Sequence, residues 1–174
     1  MPKSLITPPA TEPITLAEAK AHLRIDSSDE DVWINSAIIS ARMMVELYLR
    51  RYLITQTWML SYDNETPIEI DLTEGIQSIS SVKIIARDAM ETIIDSADYY
   101  LGAGKKKLYF DNVLSGHRIE ITYDVGYGSA VNVPDDIKQG ILMHIADLYE
   151  NRGDNISMSK SVLNLLFPHR IIYI

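Results

Sequence analysis

The densest group of residues that could hold a phosphate is Gly102-Ala103-Gly104-Lys105-Lys106-Lys107, two glycines followed by three ammonium groups. A phosphate loop needs a longer glycine spacing and a helix whose N-terminal amides face the anion. Here the run leads into Leu108-Tyr109-Phe110, which has the character of a strand, so a basic hairpin tip is the expected role. The carboxylates Asp26, Asp29, Glu30 and Asp31 resemble a cation loop in charge alone. The glycine of the sharp bend and the closing glutamate at the required distance are absent, and a helix start explains the cluster better. His22, His117, His144 and His169 are scattered, with no pair four residues apart that would grip zinc from one helical face. No nucleophile elbow is present, and without cysteine there is no thiolate chemistry. The expectation is a protein that is not an enzyme and has no cofactor or metal. His144 is expected to be a hydrogen-bonded core residue.

The elements that would position any site follow from periodicity. Thr15 and Glu18 form a capping box, and Leu16, Ala19 and Leu23 share one face of the short helix it opens. A second box, Ser27 and Glu30, starts a longer helix reaching about Arg50. Its stripe Trp33, Ala37, Ala41, Met44 and Tyr48, flanked by Ile34, Ile38, Val45 and Leu49, is wide enough to touch two neighbours. From Ile54 the period becomes two, and short runs follow at Ile68-Ile70-Leu72, Val82-Ile84-Ala86, Tyr99-Leu101, Leu108-Phe110 and Ile119-Ile121-Tyr123-Val125. Turn residues such as Asp63-Asn64 and Ser115-Gly116 separate them, so an antiparallel sheet of five or six strands is expected. Helical spacing returns behind Pro134, placed at the first helical position, with Ile137, Ile141, His144, Ile145 and Leu148 on one side. Asn151-Arg152-Gly153 stops that helix, and a last short one ends at Pro168. The fold class is α+β: a small helical bundle with an inserted antiparallel sheet. The whole of 1–174 reads as a single domain, with 54–126 inserted between helical parts 14–51 and 133–168.

A hydrophobic content of 47% excludes a disordered chain. Met1 to Pro13 reads as an extended arm, and no stretch reaches the roughly 18 apolar residues of a membrane span, so a soluble globule is expected. The formal charge of −8 argues against avid nucleic-acid binding. Much of it sits in Asp63, Glu65, Glu69, Asp71, Glu74, Asp88, Glu91, Asp95 and Asp98, read as a solvated, repulsive face.

The tail Pro168-His169-Arg170-Ile171-Ile172-Tyr173-Ile174 finishes on four large apolar side chains. Burying each is worth about 1.5 to 3 kcal/mol, against about 1 to 2 kcal/mol per residue to order the backbone, so the tail gains only where it docks. The dock is either this chain's own surface or a groove on another subunit.

As a whole the chain resembles the phage head-tail connector family, also called head-completion or adaptor proteins, in the subgroup with a sheet inserted between the second and third main helices. The resemblance rests on blocks in order: Pro13-Ile14-Thr15-Leu16-Ala17-Glu18-Ala19-Lys20-Ala21-His22-Leu23-Arg24; Tyr48-Leu49-Arg50-Arg51 with Ile54-Thr55-Gln56-Thr57-Trp58; Tyr123-Asp124-Val125-Gly126-Tyr127-Gly128; Val133-Pro134-Asp135-Asp136-Ile137-Lys138-Gln139; Tyr149-Glu150-Asn151-Arg152; and Leu165-Leu166 with Pro168-His169-Arg170. It implies a virion protein at the head-tail junction, made in the host bacterial cytoplasm. Its copies would form a ring, dodecameric on the virion, below the portal protein. The ring would extend the channel through which DNA passes without specific binding, and would offer the tail or stopper protein its attachment site. No membrane partner is implied. The resemblance implies that residues 168–174 dock on the portal, and that helix residues such as Trp33, Met44 and Tyr48 form ring contacts. A tail-completion or stopper protein is the near alternative. A small-ligand-binding or hydrolase module built on the loops from Tyr99 to Lys107 is the distant one. Deleting residues 171–174 is expected to spare the fold and abolish portal attachment.

Overall fold

The computed structural model describes residues 2–63, 68–72, 75–114, 116–152 and 157–172. The chain divides into two compact units, Met1–Ala10 with Thr55–Tyr127, and Thr11–Ile54 with Gly128–Ile174. Among the described residues the regular structure of the first is mainly strand and that of the second mainly helix.

In the β unit, β1 (Lys3–Thr7), β2 (Gln56–Asp63), β4 (Ile76–Ile85), β5 (Glu91–Ile93) and β8 (Arg118–Val125) form one antiparallel sheet in the order β1-β2-β8-β4-β5. β3 (Glu69–Asp71), β6 (Tyr99–Leu101) and β7 (Lys107–Phe110) form a second, ordered β3-β7-β6. The single sheet of five or six strands is therefore corrected, among the described residues, to eight strands in two sheets. Alternation reveals that a segment is extended but not which segment it pairs with, and three-residue strands are too short to show a period. The N-terminal arm is likewise a strand. β1 pairs with β2 and is interrupted by a bulge between Leu5 and Thr7. Burial lowers the Lys3 ammonium to about 8, and it lies 4.6 Å from the Trp58 ring centroid.

Strand register fixes the faces. Trp58 lies opposite Tyr123, Leu60 opposite Ile121 and Tyr62 opposite Ile119, so one face of the large sheet collects the apolar side chains. Ile119, Ile121, Tyr123 and Val125 are buried there. On the other face Asp124 accepts hydrogen bonds from the hydroxyls of Thr57 (2.7 Å), Ser78 (3.0 Å) and Ser80 (3.2 Å). The acidic block is not simply solvated: Asp63 pairs with Arg118 at 2.7 Å, Glu69 with Lys107 at 2.7 Å and Glu91 with Lys83 at 3.0 Å. These pairs are exposed and each adds little stability. Glu65 and Glu74 lie outside the described residues.

The helical unit holds α1 (Leu16–Leu23), α2 (Asp31–Leu49), α3 (Asp135–Glu150) and α4 (Lys160–Leu166). α2 packs on α1 and α3, and α3 also packs on α4. The Thr15 and Glu18 box forms, with the Glu18 amide donating to Thr15 Oγ1 at 3.2 Å and the Thr15 amide to Glu18 Oε2 at 2.7 Å. The Ser27 and Glu30 box does not. Ser27 bonds Asp29 at 2.6 Å, and Glu30 caps α2 with its backbone alone because its carboxylate is engaged elsewhere. Pro134 is the N-cap residue of α3 rather than its first helical residue. α3 ends at Asn151, whose side-chain amide donates to the Asp147 carbonyl at 3.0 Å; Gly153 lies outside the described residues. α3 and α4 meet closely at Gly140, where an added Cβ would stand 2.8 Å from Leu166 Cδ2.

α2 is long and apolar enough, at a mean hydropathy of 1.2, to cross a membrane by those criteria alone. It nevertheless carries two buried charges. Arg42 Nη1 donates to Glu46 Oε2 at 2.8 Å and Arg42 Nε donates to Glu12 Oε2 at 2.6 Å. Glu46 Oε1 accepts the Leu53 backbone amide at 2.8 Å. Burial raises the Glu46 carboxyl above its ordinary value despite those bonds. Burial also opposes the charge on Arg42, but its bonds to Glu12 and Glu46 more than offset that effect and its pKa is raised.

Arg42→Ala leaves the Glu46 carboxylate buried without its cation and is expected to cost about 3 to 5 kcal/mol in urea unfolding of the full chain. Replacing both residues by apolar side chains of similar volume should cost much less. A small loss in the single variant would show that the pair does not hold the unit together.

Candidate functional site in the helical unit

Three features of this unit have the geometry of a working surface: a clamp between helix ends, a groove between α2 and α3, and the start of the tail.

The clamp is centred on Glu30. Its two carboxylate oxygens accept from the Tyr149 hydroxyl at 2.5 Å and from Arg152 Nη2 at 2.6 Å. The Arg152 guanidinium lies 4.4 Å from the Trp33 ring centroid and 4.3 Å from that of Tyr149, and the two rings meet edge to face at 5.5 Å. The hydrogen bond from Tyr149, followed by that from Arg152, holds the Glu30 carboxyl below its ordinary value. The same bond to Glu30 raises the Tyr149 hydroxyl. The clamp therefore locks the start of α2 to the end of α3.

Beyond it opens a cleft of about 480 Å³ lined by Trp33, Ser36, Ala37, Ser40, Met43, Met44, His144, Leu148, Asn151 and Arg152. His144 has no exposed surface, and neither of its ring nitrogens has a hydrogen-bond partner. It is a core residue, but the expected hydrogen bond is absent. Ala37, Met44 and Leu148 line the cleft with the ring, and an unmet polar group buried there costs about 1 to 3 kcal/mol. Burial lowers its pKa, opposed in part by Asp147. Sequence reasoning placed His144 on the right face but missed its solitude, which depends on which side chains come opposite.

Of the expected ring contacts, Trp33, Met44 and Tyr48 are all half-buried within their own unit. Trp33 belongs to the clamp, Met44 to the cleft wall, and the Tyr48 hydroxyl donates to the Leu163 carbonyl at 3.3 Å. The outermost apolar residues of α2 are instead Val32 (82% exposed), Ile39, Met43 and Leu47 (74% exposed). They recur at helical spacing, one face over from the expected stripe.

The tail begins inside its own unit. Pro168 sits in a 3₁₀ turn from Phe167 to His169. His169 Nε2 lies 2.5 Å from Asp136 Oδ2, and this contact holds the Asp136 carboxyl below its ordinary value. Arg170 stacks on Tyr48 at 4.9 Å, and the Ile171 amide donates to the Leu49 carbonyl at 3.0 Å while its side chain is buried. Ile172 is 63% exposed. Tyr173 and Ile174 lie outside the described residues. The first exposed apolar residue of the tail is thus Ile172, not Ile171.

The other candidate sites remain apart. The glycine and lysine run turns the hairpin from β6 to β7, where the Gly102 amide bonds the Lys107 carbonyl at 2.8 Å and Tyr100 stacks on Tyr109 at 5.2 Å. No group of three or more His, Asp or Glu side chains able to hold a metal exists among the described residues.

The chain is an α+β protein whose helical unit carries exposed apolar residues along α2 and at Ile172. Residues 12–171 match the family described as Head completion protein, and the chain belongs to that family. Its role is that of a structural phage head-tail connector. Three solved structures share the fold over 100% of this chain and 97% of theirs. One is from the neck of an empty GTA particle computed with C6 symmetry (TM-score 0.85, 20% identity). Another is from the virion of a native gene transfer agent particle (0.82, 19%), and the third from the neck of a native GTA particle computed with C12 symmetry (0.78, 18%). No curated protein matches the chain.

Two outcomes are expected of the isolated protein. Because folding depresses the His144 pKa, its stability contribution is full above the ordinary value of 6.5 and is lost as pH falls below it. The melting temperature should drop between about pH 7.5 and 5.5, and less so in His144→Leu. Removing residues from 172 onward should leave the melting temperature unchanged, whereas Ile171→Ala should cost about 2 to 5 kcal/mol. Equal effects would place the boundary between core and tail elsewhere.

Proposed function

We propose that the chain forms a ring, dodecameric on the virion, beneath the portal protein, where it extends the DNA channel and carries the attachment site for the tail or stopper protein. The observation that carries this reading is the family match over residues 12–171. The C6 and C12 symmetry stated for the neck particles of the same fold supports a ring, since a cyclic assembly repeats one heterologous contact until it closes.

In this reading the seven residues from Pro168 to Ile174 are the portal-docking segment, with a division of labour. His169, Arg170 and Ile171 fix its root to Asp136, Tyr48 and Leu49, and residues from Ile172 onward reach the portal. A root tied down in this way loses less chain entropy when the tip binds. Ring contacts come from α2, where Trp33, Met44 and Tyr48 support an outer row of Val32, Ile39, Met43 and Leu47. The net charge of −8 suits a conduit, because carboxylates facing a channel repel the DNA backbone and prevent it from sticking. The chain acts without catalysis, is made in the host bacterial cytoplasm and resides in the virion at the head-tail junction.

An image of the assembled particle should place this subunit as a ring between portal and tail; density at the tail tip or in the capsid shell would overturn the reading. Purified rings are expected to retain little duplex DNA at physiological ionic strength. Tight retention, weakening steeply with salt, would overturn the low-friction channel.

A further inference from the structure

The helical unit leaves a polar side chain unsatisfied at the wall of an apolar cleft, and nothing in the connector role itself demands that. Both nitrogens of His144 are buried without partners, while Trp33, Met43, Met44 and Leu148 line the opening beside it. A leucine at this position would meet the apolar packing without leaving any polar group unmet. Met43 (58% exposed) lines the cleft and also belongs, by helical spacing, to the exposed row with Ile39 (44% exposed) and Leu47.

Charge identifies the occupant. Between Asp31 and Arg50 the exposed residues of α2 are Val32, Asn35, Ser36, Ile39, Ser40, Met43 and Leu47, none of them ionisable. The two charges within that span, Arg42 and Glu46, are buried against each other and Glu12. Arg152, at the cleft edge, is held by Glu30. On a chain of net charge −8 this is a neutral face. Two acidic copies repel wherever their carboxylates meet, and a basic partner gains most where carboxylates are exposed. A face without ionised groups is where an identical acidic copy approaches without that penalty. Methionines at the mouth suit it further, because their flexible thioethers mould to an irregular insert.

We propose that the cleft between α2 and α3 is the socket for a projection of the adjacent copy in the ring, apolar on its flanks with one hydrogen-bonding group at its tip, and that His144 is the polar anchor that meets this group once the socket is filled. This rests on the ring reading above and names the partner at one of its surfaces. The contact is heterologous: socket on one copy, projection from a different face of the next, as a closed ring requires. In the free subunit His144 is a stability defect, and in the assembly it becomes a specificity contact.

The chain has no cysteine, so Met43→Cys in the full-length protein accepts a single benzophenone-maleimide label. Labelled protein is added to DNA-filled heads lacking it and irradiated, and the cross-linked partner is identified by mass spectrometry. A cross-link to another copy of this chain is expected. A cross-link to a different protein, or none, with the labelled chain present in the particles, overturns the socket and leaves the connector reading standing. Absence of the chain from the particles overturns both. His144→Leu, assayed without label, should melt at or above the temperature of the native protein yet enter particles with about tenfold weaker apparent affinity. Undiminished entry would show that His144 anchors nothing.

Discussion

The helical unit depends on a charge pair that its core would ordinarily exclude. Arg42 and Glu46 lie one turn apart on α2, with their side chains turned inward, and each makes a further hydrogen bond to a different segment of the chain. Arg42 takes Glu12, just inside the point where the chain enters the unit, and Glu46 takes the Leu53 amide, just before it leaves. The chain just inside two of the three connections to the β segments is thereby tied to one turn of one helix. Desolvation works against such a pair, and only full satisfaction of its bonds makes it tolerable.

With its inner face committed, α2 divides the rest of its circumference by chemistry. One edge ends in the clamp of Trp33 with Tyr149, Arg152 and Glu30, which satisfies the Glu30 carboxylate while sealing the helix ends. The adjacent edge forms the cleft wall. The outer row of Val32, Ile39, Met43 and Leu47 is exposed and lies outside the buried core of its own unit. Apolar residues in such a row make sense for a protein that belongs to the Head completion protein family, because a subunit of an assembly must leave part of its hydrophobic surface for its neighbours.

The tail follows the same economy. Its polar and first apolar residues belong to the subunit: His169 faces Asp136, Arg170 stacks on Tyr48 and Ile171 is buried beside Leu49. The open choice between a dock on the chain itself and a dock on another subunit thus divides at a residue. Up to Ile171 the chain docks on itself, and at Ile172 the apolar surface is left open. Periodicity does not reveal such a boundary, because Ile171 and Ile172 are chemically identical and differ only in which surface lies opposite.

The sequence by itself determined the element types, the helical parts flanking a β segment, the Thr15 and Glu18 cap and the membership of His144 in an apolar face. Each of these is encoded in local spacing, which 3.6- and 2-residue periods read directly. Strand partnership was not legible. The joining of β1 to β2 and the separation of β3, β6 and β7 into their own sheet are choices among equivalent edges, made by long-range pairing. The fate of Glu30 was hidden for a similar reason. Its local spacing to Ser27 spelled a cap, but a hydroxyl and a guanidinium more than a hundred residues away compete better for its carboxylate. Only the tertiary structure decided which apolar residues of α2 were spent on the core and which were left over. Burial belongs to the pair of surfaces that meet, and one strand of sequence describes only one of them.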